Sequence, residues 1–141
     1  MTTPHARGVL RNAIRTLLST EPLLADASHV LSSTKVDEDQ VPLYSVSIPS
    51  EEETTDSSSL TTVVSHVVIA ATIAAGADQI EDQLDHLGEA IRAKMVGGLR
   101  VETGVATPDL KRTEFKTGQT GATLTGTVMM LWHVTAYLRD A

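Results

Sequence analysis

The sequence predicts an α+β fold in which two amphipathic helices pack on a mostly antiparallel, mixed sheet that ends in a long C-terminal β-hairpin. Three observations predict it: a strand pattern leading directly into a helix pattern over residues 60–98, a helical stripe near the N-terminus, and two C-terminal strand patterns joined by a glycine-containing turn. With 141 residues, 41% of them hydrophobic, we expect residues 1–141 to form a single domain with its own core.

The first predicted element is a helix that begins after Thr3 and Pro4, a suitable N-cap and first helical residue. Its apolar stripe recurs at helical spacing and consists of Ala6, Leu10, Ala13, Ile14 and Leu17. Arg7, Arg11 and Arg15 recur every four residues and form a basic ridge along one side of this helix. The simplest interpretation of the ridge is a solvated face, and the functional alternative is an interface with an acidic partner surface.

Residues 22–40 give weak patterns. A short strand is expected at residues 28–32 and an acidic turn at residues 37–39. A calcium loop is excluded there because the sixth position counted from Asp37 is Pro42 instead of glycine, and the twelfth is Ile48 instead of glutamate. Residues 43–48 alternate between apolar and serine side chains, which predicts a short, half-buried strand.

Residues 50–59 contain no hydrophobic side chain, so we expect them to form a mobile loop. Glu51, Glu52 and Glu53 invite a catalytic interpretation. General acid-base catalysis, however, needs positioned groups in tuned environments, which a mobile loop does not provide. The functional alternative for this acidic segment is ordering against a partner.

The stretch from residue 60 to residue 98 carries the clearest patterns. Residues 60–73 are dominated by β-branched side chains and predict a central strand, because both alternating faces are apolar enough to be covered. Asp78 and Glu81 match a capping box and predict the start of a helix. Gly97 and Gly98 are expected to supply its left-handed stop. The buried stripe expected for this helix is Ile80, Leu84, Leu87, Ile91 and Met95.

The C-terminal pattern predicts a hairpin with a polar strand at residues 110–117, a turn at residues 118–121 and a last strand at residues 122–139. Fully extended, the last strand would span about 60 Å, whereas the radius of gyration of a compact domain of this size is about 14 Å. An isolated two-stranded ribbon is only marginally stable in water. We therefore expect the hairpin to protrude onto a neighbouring copy, with Arg112, Phe115 and Lys116 at the interface.

Composition excludes several classes of function. Without cysteine, the chain has no disulfide, thiolate metal site or cysteine nucleophile. A formal net charge of −7 and the scarcity of aromatic residues argue against nucleic-acid recognition, which needs clustered cations and stacking platforms. No stretch is long and apolar enough to span a membrane, and no nucleophile elbow, catalytic acid pair or dinucleotide fingerprint occurs. We expect a soluble protein without catalytic residues or cofactor.

The histidines show no metal-ligand spacing, so no metal site is assigned. His66 and His133 lie on strands that are able to pair, but two histidines without a carboxylate in frame indicate a metal site less strongly than ordinary hydrogen-bonded strand residues. A small oligomeric ligand- or metal-binding α+β protein is nevertheless the alternative from a different functional class.

The order of these elements resembles the tail terminator family of long-tailed bacteriophages, typified by the lambda protein. The resemblance rests on the N-terminal helix, the acidic turn leading into the proline-led strand at residues 39–46, the polar loop, the long strand with the helix at residues 78–96, and the closing hairpin with LWHVTAY at residues 131–137. It covers nearly the whole chain, apart from residues 50–59 and 99–109.

The resemblance implies a non-enzymatic subunit that forms a hexameric ring of identical copies. In that family the ring caps the tail tube, ends its polymerisation and provides the surface for head joining. The implied partners are further copies of the chain, the tail tube protein and a head-completion or connector protein, and DNA passes through the lumen without specific binding. The implied location is the head-proximal end of the virion tail, after assembly in the host cytoplasm. A head–tail connector or tail-completion protein is the second phage-related interpretation.

Overall fold

The computed structural model describes residues 6–21, 28–29, 42–55, 60–99, 106–120 and 123–139. These residues form a sheet with two helices, which confirms the predicted α+β class. In chain order the elements are α1 (Ala6–Ser19), β1 (Ser28–His29), β2 (Leu43–Thr55), β3 (Leu60–Ala74), α2 (Ile80–Gly98), β4 (Ala106–Thr120) and β5 (Thr123–Arg139). The strand order is β1-β2-β3-β5-β4, and every pair is antiparallel except β1 with β2.

β3 and β5 form the centre of the sheet, as the apolar pattern of residues 60–73 predicts for β3. The two strands pair from Leu60 with Arg139 to Ala74 with Thr125. Their alternating side chains face the helices on one side, where Ile69 and Trp132 are fully buried. The long strands thus supply the apolar face against which the helices pack.

Both helices pack on the same face of this sheet. α1 contacts β2 and α2, whereas α2 contacts β5 and β4. The predicted stripe of α2, from Ile80 to Met95, is buried in a single core that also contains Leu10, Ile14 and Leu18 of α1. In α1 the buried residue of the last turn is Leu18, while the predicted Leu17 is only partly buried. Within the described part of the chain, neither helix is long and apolar enough to cross a lipid bilayer.

The ends of the helices differ from expectation. α2 begins at Ile80, with Gln79 at the N-cap position and no side-chain cap, so the predicted capping box at Asp78 is wrong. A turn before the helix takes over the role of the cap, because the Ile80 N–H donates to the Gly76 carbonyl oxygen at 2.9 Å. At the other end Leu99 is extended, with φ −70° and ψ 122°, so the predicted left-handed stop is also wrong. Thr3 and Pro4 lie outside the described residues.

β2 is longer than the sequence predicts. Residues 50–55 continue the strand and pair with β3, so the expectation of a mobile loop is wrong for them, while residues 56–59 lie outside the described part. The register shifts between Ser47 and Ser50, around Pro49, a residue that has no N–H to give to a ladder. A segment with no apolar side chain becomes a strand here because the adjacent β3 offers it a backbone hydrogen-bonding partner.

The expectation that the C-terminal hairpin protrudes as a free ribbon is wrong for the described residues. β5 pairs along its length with β3 on one side and β4 on the other, so it is an inner strand of the sheet. β3 is nearly as long as β5 and lies alongside it, so the long last strand finds its partner within its own subunit. β4 begins at Ala106, earlier than predicted, and the tip at residues 121–122 lies outside the described residues.

Candidate assembly interface

The charged residues singled out from the sequence lie at opposite edges of the sheet. At one edge β2 presents Glu51, Glu52 and Glu53, all exposed, beyond the point where β1 pairs with it at Leu43 and Tyr44. We call this the β2 edge. At the other edge β4 has β5 as its only strand partner among the described residues, and its exposed side chains include Arg112, Phe115 and Lys116. We call this the β4 edge.

The two helices, which pack on one face of the sheet, are divided between the same two edges. Because α1 contacts β2 while α2 contacts β4, α1 belongs to the β2 edge and α2 to the β4 edge. Arg11 and Arg15 of the basic ridge are partly exposed, and the side chain of Arg7 lies outside the described part. The opposite charge dominates the exposed surface of α2, which carries Glu81, Asp82, Asp85 and Glu89.

A cleft of about 310 Å³ lies between parts of α2 and β4. It is lined by Glu81, Leu84, Asp85, Phe115 and Thr117, and we call it the α2–β4 cleft. Phe115 stands on the helix-facing side of β4, opposite Val128, and is 49% exposed. Gly88 of α2 lies beside this ring, and a Cβ added there would lie 3.9 Å from two Phe115 ring carbons, an ordinary contact distance.

The chemistry of the cleft favours a cation. Glu81 and Asp85 lie one helical turn apart on the same side of α2, so two carboxylates stand near the exposed ring of Phe115. A guanidinium group pairs with carboxylates and also stacks on aromatic faces, whereas an ammonium group is a compact point charge. An arginine side chain therefore matches this cleft best.

Two ion pairs lie along β4. The Lys111 Nζ lies 2.6 Å from Asp109 Oδ2, and Arg112 pairs with Glu114. The pKa of Asp109 is lowered, first by the hydrogen bond from Lys111 and then by its positive charge. Both pairs are solvent-exposed, so they contribute little to stability. Lys116 and the three glutamates of β2 make no ion pair with any described residue.

His66 and His133 are cross-strand neighbours on the face of the sheet away from the helices, as their predicted pairing requires. Their rings are stacked, with centroids 4.3 Å apart and planes 5° apart, and Ser50 Oγ lies 3.0 Å from His66 Nδ1. No group of three or more His, Cys, Asp or Glu side chains within the described segments is placed to hold a metal ion. The pair is held by stacking and one hydrogen bond to serine.

Sequence reasoning named one side of the α2–β4 cleft, Phe115, but missed Glu81 and Asp85. Their spacing of four residues did place them on one side of a helix, away from the buried stripe. What the sequence did not contain was the position of β4 beside that side of α2, which depends on pairing between distant segments.

No protein-family model matches the chain, and no curated protein matches it. Among solved structures, the chain is similar in fold to one chain of a structure described as the virion of a native gene transfer agent particle. That match has a TM-score of 0.59 and 17% sequence identity, and it covers 94% of this chain and 100% of the other. At this identity the likeness concerns the fold.

Proposed function

We propose that the chain is a structural subunit of a phage-like virion, and that it acts as a tail terminator. In this role a ring of identical copies caps the tail tube, ends its polymerisation and provides the surface for head joining. The observation that carries the proposal is the similarity in fold to a chain of a gene transfer agent virion over 94% of this chain. The order of elements, which resembles that of tail terminators, supports the same role.

The two unlike edges of the sheet suit a ring. A ring is built from head-to-tail contacts, in which one surface of a subunit meets a different surface of the next. The β2 edge and the β4 edge are two such surfaces, and they differ in charge. We infer a hexamer from the family resemblance, with the tail tube protein and a head-completion protein as further partners. The net charge of −7 suits a lumen through which DNA passes without binding, because acidic side chains repel its phosphates.

This function needs no catalytic residue and no cofactor, and it places the protein at the head-proximal end of the virion tail. Electron microscopy and light scattering of the purified protein, alone and mixed with tail tubes, test it. We expect hexameric rings in solution or at tube ends, and tubes that no longer grow after rings are added. A stable monomer that neither binds nor caps tubes would contradict the proposal.

A head–tail connector or tail-completion protein is the phage-related alternative, and its position in the particle distinguishes it. When heads and tails are separated, a tail terminator should remain with the tails. Recovery of the protein with the heads would favour the connector.

The stacked pair of His66 and His133 is the observation that favours the alternative from another class, a ligand- or metal-binding oligomer. A ligand that binds only the folded state raises the melting temperature by mass action. Titration with Zn²⁺ should therefore leave the melting temperature unchanged if the role is structural. A saturable increase that His133→Ala abolishes would support the metal-binding alternative.

A further inference from the structure

We propose that the β4 edge of one copy meets the β2 edge of the next, so that the α2–β4 cleft receives the arginines of the neighbouring basic ridge. The inference rests on the proposed ring and adds which surfaces close it. The occupant of the cleft is thus a second copy of this chain, and the contact is head-to-tail.

The direction of the strands permits this contact. From β2 to β3, from β3 to β5 and from β5 to β4 the chain direction reverses each time, so β2 and β4 run in opposite directions. If copies are related by rotation about an axis along the strands, β4 of one copy runs antiparallel beside β2 of the next. The helix-bearing faces then lie on the same side, which brings α2 of one copy next to α1 of its neighbour.

Charge is complementary in both layers of this contact. In the strand layer, β2 carries three acidic and no basic residues, whereas β4 has three basic and two acidic residues, a net charge of +1. In the helix layer, α1 carries three arginines and no acid, whereas α2 has four acidic and two basic residues, a net charge of −2. Opposite signs therefore meet in each layer when unlike edges meet.

The same charges disfavour the competing symmetric dimers. Two β2 edges in contact would bring glutamates against glutamates and arginines against arginines, because a two-fold contact uses the same patch twice. Two β4 edges would bring the acidic sides of two α2 helices together. Like charges across an interface suppress a wrong partner, so the distribution of charge selects the head-to-tail contact.

The cleft fits the ridge in spacing as well as in charge. Arg11 and Arg15 are separated by four residues on α1, and Glu81 and Asp85 by four residues on α2, about 6 Å along each helix axis. Two guanidinium groups of one copy therefore match two carboxylates of the next. The exposed ring of Phe115 supplies the flat face on which a guanidinium stacks.

Reciprocal charge reversal tests the contact. The ridge variant Arg11→Glu/Arg15→Glu and the cleft variant Glu81→Arg/Asp85→Arg should each lose the ring, measured as mass by light scattering. An equimolar mixture should restore it, because the new glutamates of one variant face the new arginines of the other while the native surfaces face each other. The matched control Asp82→Arg/Glu89→Arg changes the charge of α2 by the same amount outside the cleft lining, and it should weaken the ring less than the cleft variant does, because Glu81 and Asp85 remain.

Cross-linking checks the same contact without reversing any charge. The chain has no cysteine, so Arg15→Cys/Asp85→Cys introduces the only two thiols. A short bis-maleimide reagent should convert this variant into a ladder of covalent multimers on a denaturing gel. The matched pair Thr16→Cys/Asp82→Cys uses exposed positions beside the same two residues and should remain mostly monomeric.

The outcomes separate this inference from the proposed function. Suppose that the wild-type chain forms rings. If both charge variants also form rings, or if the folded variants fail to reassemble when mixed, the interface assigned here is wrong and the tail terminator role still stands. A wild-type chain that forms no ring, even with tail tubes present, overturns the proposed function and this inference with it. Circular dichroism melts establish that each variant is folded before its mass is measured.

Discussion

Gly126 shows how closely the helices approach the sheet. A Cβ added at this position would lie 2.7 Å from Leu84 Cδ1 and 2.9 Å from the Ile80 side chain, and both neighbours belong to the buried stripe of α2. Gly126→Ala should therefore lower the free energy of unfolding by about 1–3 kcal/mol, the usual cost of overpacking a core.

Chemical denaturation measures this cost, and Gly118→Ala is its control. At Gly118 the nearest atom to an added Cβ is Thr125 Oγ1 at 3.9 Å, and the residue is exposed. We expect a change within about 0.5 kcal/mol there. Equal changes in the free energy of unfolding for the two substitutions would contradict the close contact between α2 and β5 at Gly126.

At the residue scale the sequence predicted which side chains are buried better than it predicted their hydrogen-bond partners. The five residues of the α2 stripe are all buried, because a helical stripe is a local pattern that fixes its own inward face. Asp78, by contrast, matched a local cap pattern and does not cap α2. Capping depends on the path by which the preceding chain enters the helix, and the turn at Gly76 sets that path.

At the scale of the element, α2 carries a glycine in its interior that its packing does not require. A Cβ at Gly88 would lie 3.6 Å from Val128 Cγ2, an ordinary contact distance. Gly88→Ala should stabilise the protein by about 0.5–1 kcal/mol, because glycine is the less favourable residue inside a helix. Thermal unfolding checks this prediction.

Gly97→Ala, in the last turn of α2, is the matched substitution. An added Cβ there meets nothing within 4 Å, and a terminal turn frays, so the gain should be smaller than at residue 88. If Gly88→Ala instead lowered the stability of the protein, Phe115 would need the space left by the missing side chain.

Elements were predictable where their pattern is local. The helical stripes and the β-branched run of β3 are of this kind, and α1, α2 and β3 occur where the patterns indicate. Residues 50–55 have no such pattern, since a polar strand and a polar loop look alike in sequence. Only the pairing with β3 decides between them, and the candidate cleft depends in the same way on β4 lying beside α2.

At the scale of the whole molecule, the distribution of charge predicts how assembly responds to salt. The Debye length falls from about 10 Å at 0.1 M salt to about 3 Å at 1 M, so contacts between exposed charges weaken. Rings closed by the β2 and β4 edges should therefore dissociate towards monomers as sodium chloride rises over that range. Light scattering at fixed protein concentration measures the shift.

The melting temperature of the single subunit is the control, and it should change little. The core is apolar, and the ion pairs on β4 are exposed, so folding itself depends weakly on salt. Rings that become more stable at high salt would instead indicate an interface dominated by apolar contacts.

The head-to-tail contact between the β2 edge and the β4 edge has a further consequence for such a ring. Cyclic copies arranged about an axis along their strands all point the same way, so the assembly is polar and its upper and lower rims differ. One gene product then provides two distinct docking platforms, and a protein that recognises one rim finds no equivalent site on the other.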